Sequence, residues 1–538
     1  MTSTPAAVAG RGGRRRAELD RPTVFAAALL VAVGGIVYEL ILGTTASYLF
    51  GNSVVAFSLA TGLTLFGMGL GSLLASRLTA DPGLNFARNE VLLALAGGSS
   101  VLLIHWAFAA TDVYWVVFVV LSLAVGIGIG VEIPLLVSVV RSSGRDESVD
   151  LLSKVLALDY FGALVASLLF PFLLLPVLGL ARTAAAVAVL NVGVALFMLW
   201  RMGVRTRWNL VGLLALLLLL ALFAASSSLE RAAVARQYPD PVVHQETTRY
   251  QRLVVTAYGA DVRLWLNDQL QFSTVDEARY HETLAHAAMT SHPDPRTVVV
   301  LGGGDGMLAR EVLRHPGVER VTVVDLDPAV TRLAREHRLL VQANDGALTD
   351  PRVEVVSTDA FGWLDEPGPA ADVVLADLVD PADDRVAKLY SREMYQRVAD
   401  RLAPDGVFAT QATSSFFTPT AHRQVAATVA AGMPGRTVVP LSVNVPTFGE
   451  WGFALAVPGG PGGVLVEPEP GSVPGLLEAS PLPPGLRHHD ADTLWTSTRL
   501  APAADGRPVA EGWDVAPSTL LTPRVLAAYD GDMRRWRY

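Results

Sequence analysis

The sequence contains no cysteine and carries little charge over much of its length. The absence of cysteine from its 538 residues excludes disulfide bonds, zinc sites with thiolate ligands and a thiol nucleophile. The net charge of -9 argues against nucleic acid as a partner, because binding to a phosphate backbone requires clustered Lys and Arg. No secretory signal is evident, since the basic segment 11–16 precedes an apolar run without a small-residue cleavage pattern.

Charged residues are nearly absent from the apolar segments that lie before residue 225. These segments are long enough to cross a bilayer, at roughly 18–27 residues each. They lie at 24–49, 53–76, 91–110, 113–140, 155–180, 183–200 and 208–225. The pattern predicts a basic tail at 1–22 and a transmembrane domain of about seven helices at 23–228, with the lipid bilayer as a partner.

The basic residues of this half predict its orientation. They concentrate before the first segment and after the second, fourth and sixth, so the positive-inside rule places the N-terminus in the cytoplasm. Seven crossings would then leave the C-terminal half outside the cell. Either the count is wrong by one, with the segment that Pro171 and Pro176 interrupt as a split or re-entrant element, or the C-terminal domain faces outward.

Three acids lie inside the apolar segments, namely Glu39, Glu132 and Asp159. An ionisable group in hydrocarbon is costly, so each is a candidate for a functional site. The alternative is that Asp159 is hydrated near a helix end and that the other two form hydrogen bonds between helices. Two glycine series predict close helix packing instead of chemistry, and they comprise Gly67, Gly69, Gly71, Gly126, Gly128 and Gly130.

After residue 229, short apolar strands alternate with amphipathic helices. Residues 229–295 predict a small β-hairpin region and a helix capped by Thr274. The predicted strands and helix of this region lie at 252–258, 262–266 and 276–289. Residues 296–457 predict an α/β Rossmann-like domain of the class I methyltransferase type, because buried strands alternate with helices. Residues 458–538 are expected to form a Pro/Gly-rich linker and a C-terminal segment.

Acidic residues follow the predicted strands of this domain at the edge where such sheets bind ligands. Asp305 lies in the turn Gly302–Gly306, and Asp325, Asp359 and Asp377 lie near the ends of later strands. Asp325 follows the turn at the spacing where an acid can bind a ribose hydroxyl, about 20 residues on. NAD enzymes and methyltransferases share this pattern, so it does not by itself identify the ligand.

Asp305 restricts the kind of ligand further. A second carboxylate about 4 Å away would be repelled by roughly 1 kcal/mol or more, which disfavours both a pyrophosphate and the carboxylate of S-adenosylmethionine. A nucleoside with a cationic tail and no carboxylate would be attracted instead. The alternative is that Asp305 only caps the following helix, a role that Asp performs well.

The chain resembles the spermidine synthase family in six motifs that occur in the same order. They are Tyr250-Gln251, Tyr280-His281-Glu282, Gly302–Gly306, Asp325, Asp359-Ala360 and Asp377-Leu378-Val379-Asp380-Pro381. The residues Lys388–Ser391 and Met394-Tyr395 are similar to a membrane-fused branch of the family. The resemblance covers the C-terminal half well and the membrane half loosely.

The resemblance implies transfer of an aminopropyl group from decarboxylated S-adenosylmethionine, as co-substrate, to a diamine or polyamine such as putrescine. Asp377 would be the general base, needed because the acceptor amine is protonated at neutral pH and has no lone pair for attack. The nucleoside portion of the donor would be held by Gln251, Gly302, Gly304, Asp325, Asp359 and Ala360. The acceptor or the donor amine would be contacted by His281, Asp305 and Asp380. Methylthioadenosine would be released, and no metal or other cofactor is expected.

Two departures from the family pattern affect the substrate sites. Asn267-Asp268 stands where the family usually has Asp-Gly, which leaves the acceptor open. The stretch 382–386 lacks the Gly-Pro that soluble members place against the adenine, so the adenine contacts are unassigned. A homo-oligomer is possible, and the catalytic domain is expected in the cytoplasm because the donor should be made there.

Two other classes of function stay open. The membrane half could transport or sense polyamines, with the soluble half supplying or monitoring them. The soluble half could instead be a methyltransferase that uses intact S-adenosylmethionine on a small amine, which would require it to bind the carboxylated donor more tightly.

Overall fold

The computed structural model describes residues 21–50, 53–78, 80–111, 113–141, 148–204, 206–459, 463–464, 481–500 and 512–536. The chain forms two compact units, of which the first ends at Pro239 and the second begins at Asp240. The predicted basic tail up to residue 20 and residues 465–480 of the predicted linker lie outside the described residues.

The first unit consists of long apolar helices. They are α1 (Arg21–Phe50), α2 (Ser53–Ala75), α3 (Pro82–Ala110), α4 (Tyr114–Arg141), α5 (Ser148–Leu169), α6 (Leu175–Arg201) and α7 (Arg207–Ala235). Within the part of this unit that the structure describes, six candidate membrane spans are each apolar and long enough to cross a bilayer. A large share of their apolar side chains is exposed, as expected for helices that face lipid.

The predicted fifth and sixth segments are joined in the structure. A π-helical turn at Phe170–Leu174 connects α5 to α6, and together they form the candidate span Leu152–Arg201 of 50 residues. Pro171 and Pro176 weaken the backbone hydrogen bonding here, and Gly179 leaves the helical conformation with a φ of 74°. The described residues therefore hold six candidate spans where about seven were predicted. The 50-residue span, at about 1.5 Å per residue, is longer than a hydrocarbon thickness of about 30 Å.

Glycines bring α2 and α4 into close contact. A Cβ atom at Gly71 would overlap the carbonyl oxygen of Ile127, and one at Gly130 would overlap that of Met68. The packing role predicted for these two glycines is thus confirmed, since each backbone leaves no room for a side chain on the other. Gly69 differs, because a Cβ there would meet nothing within 4 Å.

The second unit begins with a four-stranded antiparallel meander. Its strands are β1 (Val242–Thr247), β2 (Arg252–Tyr258), β3 (Asp261–Leu266) and β4 (Gln269–Ser273). The predicted hairpin is β2–β3, and β1 and β4 extend it on either side. Asn267 and Asp268 form the β3–β4 turn at φ 48° and 67°, a left-handed conformation that Asn and Asp tolerate. Asn267-Asp268, which departs from the family pattern, therefore forms a tight turn. In this turn Asn267 Oδ1 accepts from the N–H of Arg252 at 3.0 Å.

A mixed eight-stranded sheet forms the centre of the second unit. Its strands are β5 (Thr297–Gly302), β6 (Arg320–Asp325), β7 (Val353–Ser357), β8 (Ala371–Asp377), β9 (Leu402–Gln411), β10 (Arg436–Val445), β11 (Gly449–Pro458) and β12 (Gly463–Val464). The spatial order is β12-β10-β11-β9-β8-β5-β6-β7, with β5 to β9 parallel and β11 antiparallel to its neighbours. This is the Rossmann-like class predicted from the sequence.

Helices cover the sheet on both faces. The helices of the second unit are α8 (Glu277–Met289), α9 (Met307–Leu313), α10 (Pro328–Glu336), α11 (Arg338–Ala343), α12 (Ala360–Trp363), α13 (Asp384–Ala387), α14 (Arg392–Arg401), α15 (Pro419–Gly432), α16 (Ala491–Ser497) and α17 (Arg524–Met533). In β5, Val298 and Val300 pack into one apolar core while Val299 and Leu301 pack into the other. Two buried faces explain why this strand is an uninterrupted apolar run.

The sheet brings three strand ends together. The chain runs from β5 to β6 and β7 on one side, and then to β8 and β9 on the other, so the strand order reverses at β5. Gly302 lies opposite Asp377 in β8, and Leu301 lies opposite Val324 in β6. Ligands of such sheets bind at this reversal, outside the carboxyl ends of the strands.

The start of α8 is fixed to the loop before β11. The prediction that Thr274 caps this helix is wrong, because its hydroxyl donates to the carbonyl oxygen of Ala260 at 3.1 Å and Asp276 occupies the N-cap position. The Asp276 carboxylate accepts instead from the N–H and the hydroxyl of Thr447, at 2.7 and 2.9 Å.

The C-terminal residues also pack on the second unit. Asp532 of α17 accepts from the N–H groups of Thr420 and Ala421 at 2.8 and 3.1 Å, and so binds the first turn of α15. The indole N–H of Trp536 donates to the carbonyl oxygen of Phe417 at 2.9 Å. These contacts bring α17 to the edge of the sheet where the acids cluster.

Candidate active site

The glycine-rich turn after β5 has the backbone that its sequence predicts. Gly302 and Gly306 adopt φ values of 79° and 83°, in the left-handed region that favours glycine. A Cβ atom at Gly302 would overlap the carbonyl oxygen of Asp377, and one at Gly304 would lie 2.5 Å from Oδ2 of Asp325. The glycines therefore let the turn pass closely between two of the predicted site acids.

Asp325 is held in place by backbone groups. Its Oδ2 accepts from the N–H of Gly304 at 3.1 Å, and its Oδ1 accepts from the N–H of Asp327 at 2.9 Å. Burial raises the pKa of Asp325 to about 6, although both hydrogen bonds favour the ionised form. The carboxylate is thereby fixed at the end of β6, beside the turn.

Gln251 is linked to the strand end at Asp325 by Asp327, a residue that the sequence analysis did not name. Its side-chain amide donates to Oδ2 of Asp327 at 3.3 Å, and the hydroxyl of Thr248 donates to the same oxygen at 2.7 Å. Asp327 also caps α10, since its Oδ1 accepts from the N–H of Ala329 at 3.1 Å. An acid followed directly by Pro328 is a helix-start signal that could have identified it.

Asp359 and Ala360 lie at the end of β7, one strand beyond Asp325. The side chain of Asp359 accepts from the N–H of Phe361 at 3.3 Å and caps the short helix that Ala360 begins. Its other oxygen pairs with the ammonium of Lys388, which also lies 5.6 Å from the centre of the Phe361 ring. Lys388 was noted in the sequence as a family motif and not as a partner of this acid.

Three predicted residues meet beside the turn. The ligand atoms of His281, Asp305 and Asp377 all lie within 4.8 Å of one another. His281 is 1% exposed and Asp305 is 8% exposed, so most of this charge is withdrawn from water. The hydroxyl of Tyr280, the residue before His281, donates to Oδ1 of Asp377 at 2.7 Å.

Glu277 determines the charge of His281. Oε2 of Glu277 lies 2.9 Å from Nδ1 of His281, and both its oxygens accept from the guanidinium of Arg310 at 3.0 and 2.9 Å. Burial opposes protonation of the ring, but the hydrogen bond and the charge of Glu277 outweigh it and raise the pKa of His281 to about 9. His281 is therefore an imidazolium at neutral pH, and Glu277 is a second residue that the sequence reasoning missed.

Burial also governs the two acids of this cluster. It raises the pKa of Asp305 to about 6, against the charge of His281, which acts in the opposite direction. It raises the pKa of Asp377 too, although His281 and the hydrogen bond from Tyr280 favour the carboxylate. Both acids are thus held where added positive charge would stabilise their ionised forms.

The same three residues have spacing compatible with a metal ion. Nδ1 of His281 faces Glu277, and without a metal the ring is protonated and offers no lone pair. The carboxylates of Asp305 and Asp377 are acceptors that an ammonium group can also use, so these residues fit an ammonium group as well as a metal ion.

Asp380 lies beyond Asp377 on the same loop and contacts the C-terminal helix. The hydroxyl of Tyr529 in α17 donates to its Oδ2 at 2.9 Å. Burial raises the pKa of Asp380 to about 6, while the bond from Tyr529 favours the ionised form. Tyr529 is 149 positions away in the sequence, so no local pattern could have indicated it.

Aromatic rings pack around Tyr280, whose hydroxyl contacts Asp377. Its ring centre lies 5.1 Å from that of Phe453, 6.2 Å from Phe448 and 6.5 Å from Trp451. Rings at this spacing form an apolar wall next to a group of carboxylates. A methylene chain that ends in an amine matches both features.

Not all residues of the motif Tyr280-His281-Glu282 contact the cluster of acids. Glu282 faces away from the cluster and accepts from three successive backbone N–H groups of the C-terminal segment, each at 2.8 Å. The three donors are Arg487, His488 and His489. Glu282 thus anchors the segment that leads to α16 and α17.

The fold is a Rossmann-like α/β sheet whose glycine-rich turn lies beside a cluster of acids at the strand ends. A spermine/spermidine synthase domain matches residues 277–460, which contain the cluster. The chain is 42% identical over 525 residues to polyamine aminopropyltransferase 1 of Streptomyces coelicolor, covering 94% of each protein. It is 38% identical over 528 residues to the polyamine aminopropyltransferase of Mycobacterium tuberculosis, covering 94% of this chain and 95% of that protein.

These matches include the membrane helices, because they extend over nearly the whole chain. The chain belongs to the polyamine aminopropyltransferase family and is a transferase of its membrane-fused branch. Among solved structures, it is similar to spermidine synthase from Thermotoga maritima, with 25% identity, a TM-score of 0.41, and coverage of 48% of this chain and 84% of that one.

Proposed function

We propose that the protein transfers the aminopropyl group of decarboxylated S-adenosylmethionine to a diamine, with putrescine as the acceptor. The lone pair of the acceptor nitrogen attacks the methylene carbon bound to the sulfonium. The new C–N bond forms as the C–S bond breaks, and the C–S electron pair returns to sulfur. The products are spermidine and methylthioadenosine, and the proton lost by the nitrogen goes to a base.

Asp377 is the base in this proposal. Its carboxylate lies beside the glycine turn and is oriented by Tyr280, whose hydroxyl donates at 2.7 Å. Burial raises its pKa above the ordinary value of 3.8, which brings it closer to the pKa of the ammonium it must deprotonate. The apposition of Asp377 with Asp305 beside a nucleoside-type turn is the observation that carries the proposal.

The remaining predicted residues hold the two substrates. Asp305 and Asp380 attract the ammonium groups, and the aromatic wall at Tyr280 accommodates the methylene chain. His281, as an imidazolium, lowers the pKa values of Asp305 and Asp377 and so opposes the effect of burial on both acids. The nucleoside portion of the donor is assigned to the strand ends and the turn, at Gln251, Gly302, Gly304, Asp325, Asp359 and Ala360.

The purified full-length protein should release methylthioadenosine when it is given decarboxylated S-adenosylmethionine and putrescine. Asp377→Asn should lower kcat by about 10²- to 10⁴-fold, because a carboxamide cannot take the proton. Asp384→Asn is the matched control, since Asp384 is an exposed acid of the same loop region. Turnover that survives Asp377→Asn would remove Asp377 from the role of base.

A comparison of two donors separates this proposal from a methyltransferase. Calorimetry should show tighter binding of the decarboxylated donor than of intact S-adenosylmethionine, because Asp305 repels a second carboxylate. Asp305→Asn should reduce the difference in affinity between the two donors. Tighter binding of the carboxylated donor by the wild-type protein would instead support methyl transfer.

We place the second unit on the cytoplasmic side of the membrane. If the joined α5–α6 span counts as one crossing, with its excess length as a re-entrant part, six crossings return the chain to the side of its N-terminus. The positive-inside rule assigns that side to the cytoplasm. A reporter fused to the C-terminus should be active in the cytoplasm, and activity only outside the membrane would refute this orientation.

A further inference from the structure

The C-terminal helix α17 packs on the second unit although it lies outside the family match. The synthase domain match ends at residue 460, and α17 begins at Arg524. The buried residues of this helix are Val525, Tyr529 and Asp532. Spacings of four and three residues place all three side chains on one face of a helix. The helix therefore turns a single face toward the rest of the unit, and Tyr529 lies in the middle of that face.

Hydrogen bonds fix α17 at both of its ends. Near its C-terminal end, the carboxylate of Asp532 accepts from the N–H groups of Thr420 and Ala421 at 2.8 and 3.1 Å. These N–H groups belong to the first turn of α15, where the helix itself offers them no acceptor. At the other end, the N–H of Val525 donates to the hydroxyl oxygen of Ser518 at 3.3 Å, and Ser518 is fully buried. The central residue of the helix is thus held in a fixed position.

The loop that carries Asp380 is also fixed by buried side chains. The carbonyl oxygen of Leu378 accepts from the side-chain amide of Gln411 at 2.7 Å. The carbonyl oxygen of Val379 accepts from the hydroxyl of Tyr390 at 3.0 Å. Both donors are buried, so a movement of the loop would leave buried polar groups without partners. Asp380 is therefore kept in one position relative to the sheet.

Each of the two acids on this loop is contacted by a tyrosine from a different helix. Tyr280 of α8 donates to Asp377 at 2.7 Å, and Tyr529 of α17 donates to Asp380 at 2.9 Å. In the proposed reaction Asp377 takes the proton of the reacting nitrogen, and Asp380 attracts the second ammonium of the acceptor. A diamine ends at Asp380. A longer polyamine has a further chain that must pass Asp380, where the ring of Tyr529 already stands.

We propose that Tyr529 closes the acceptor site behind Asp380 and restricts the acceptor to a diamine, so that the triamine product is not used again. This inference rests on the proposed function, because it concerns the acceptor of the same reaction. Tyr529 is the specificity-determining residue. Asp532 is a positioning residue, because it fixes α17 and acts on Asp380 only through Tyr529.

The acceptor preference of the full-length protein tests this inference. The measured quantity is the ratio of kcat/KM for putrescine to kcat/KM for spermidine, from release of methylthioadenosine, and this ratio does not depend on the fraction of protein that is folded. The wild type should favour putrescine by about tenfold or more. Tyr529→Ala should lower the ratio by about tenfold or more and should form spermine, because the end of the site is opened. Tyr529→Phe keeps the ring and should keep the ratio.

Asp532→Ala should lower the ratio in the same direction and should add nothing when it is combined with Tyr529→Ala. Two controls should leave the ratio unchanged, namely Tyr258→Ala at an exposed tyrosine of β2 and Asp530→Ala at an acid of α17 outside its buried face. An unchanged ratio in Tyr529→Ala, or equal use of the two amines by the wild type, would overturn this inference and leave the proposed function intact. Failure of the wild type to release methylthioadenosine with either amine would refute both.

Discussion

Replacement of Glu277 by Gln should change how the stability of the protein depends on pH. In the wild-type protein, Glu277 is 2% exposed and contacts both His281 and Arg310. Raising the pKa of His281 from 6.5 to about 9 corresponds to about 3 kcal/mol of preferential stabilisation of the protonated ring. Because the folded-state pKa exceeds the ordinary value, this stabilisation is complete below pH 6.5 and is lost as the pH rises to about 9.

The variant lacks the charge that favours protonation, whereas burial of the ring remains. The pKa of His281 should therefore fall, and the loss of stability between pH 6.5 and 9 should largely disappear. At pH 6.5 the variant should be less stable than the wild type by about 3–5 kcal/mol, because removing one partner of a buried ion pair leaves the other uncompensated. The difference should then narrow by about 3 kcal/mol as the pH approaches 9.

The assay is thermal unfolding of the full-length protein in detergent, followed by tryptophan fluorescence between pH 6 and 10. At about 2–4 °C per kcal/mol for a large domain, the two Tm curves should approach each other by about 6–12 °C. Glu319→Gln is the control, because the exposed Glu319 pairs with Arg296 at the surface and should leave the curve unchanged. Parallel curves for the wild type and Glu277→Gln would refute the claim that Glu277 keeps His281 protonated.

Three further predictions concern the strand ends. Tyr529→Phe removes a hydrogen bond to Asp380 and should raise the KM for putrescine about five- to tenfold with little change in kcat. Equal effects on KM and kcat would exclude a role of Tyr529 in acceptor binding. Gly302→Ala should leave little folded protein by circular dichroism and gel filtration, because its Cβ would overlap the carbonyl oxygen of Asp377 at a φ of 79°. Because the pKa values of Asp305 and Asp380 are about 6 and ionisation attracts the acceptor, kcat/KM for putrescine should fall as the pH drops below 6. A flat profile down to pH 5 would contradict this.

The parallel strands of the second unit were predictable because apolar side chains cover the sheet on both faces. A strand covered on both faces must be apolar throughout, so β5 and β6 read as short valine-rich runs that end at Gly302 and Asp325. Strand β10 is harder to predict, because Pro440 interrupts its apolar pattern. Proline has no N–H for a ladder, yet Pro440 lies opposite Ala454 within the sheet.

The partners of the site residues could not be predicted in the same way. Arg310 meets Glu277 across 33 positions and Tyr529 meets Asp380 across 149, and such contacts depend on tertiary packing alone. The sequence analysis also did not name Glu90 among the acids within the apolar segments, and the reason there is different. The third apolar segment was predicted to begin at residue 91, whereas α3 begins at Pro82 and takes Glu90 into its buried face.

Burial of the acids has a cost and a use in the proposed reaction. An acceptor ammonium has a pKa near 10 and a solvated aspartate has one near 4, so proton transfer between them in water is uphill by about 8 kcal/mol. Burial raises the pKa of Asp377, and the same apolar surroundings lower the pKa of an ammonium group beside it. The imidazolium of His281 and the sulfonium of the donor repel the acceptor proton and lower that pKa further. The two pKa values therefore approach each other, and the partly buried position of Asp377, which destabilises its charged form, favours the role of base that we propose for it.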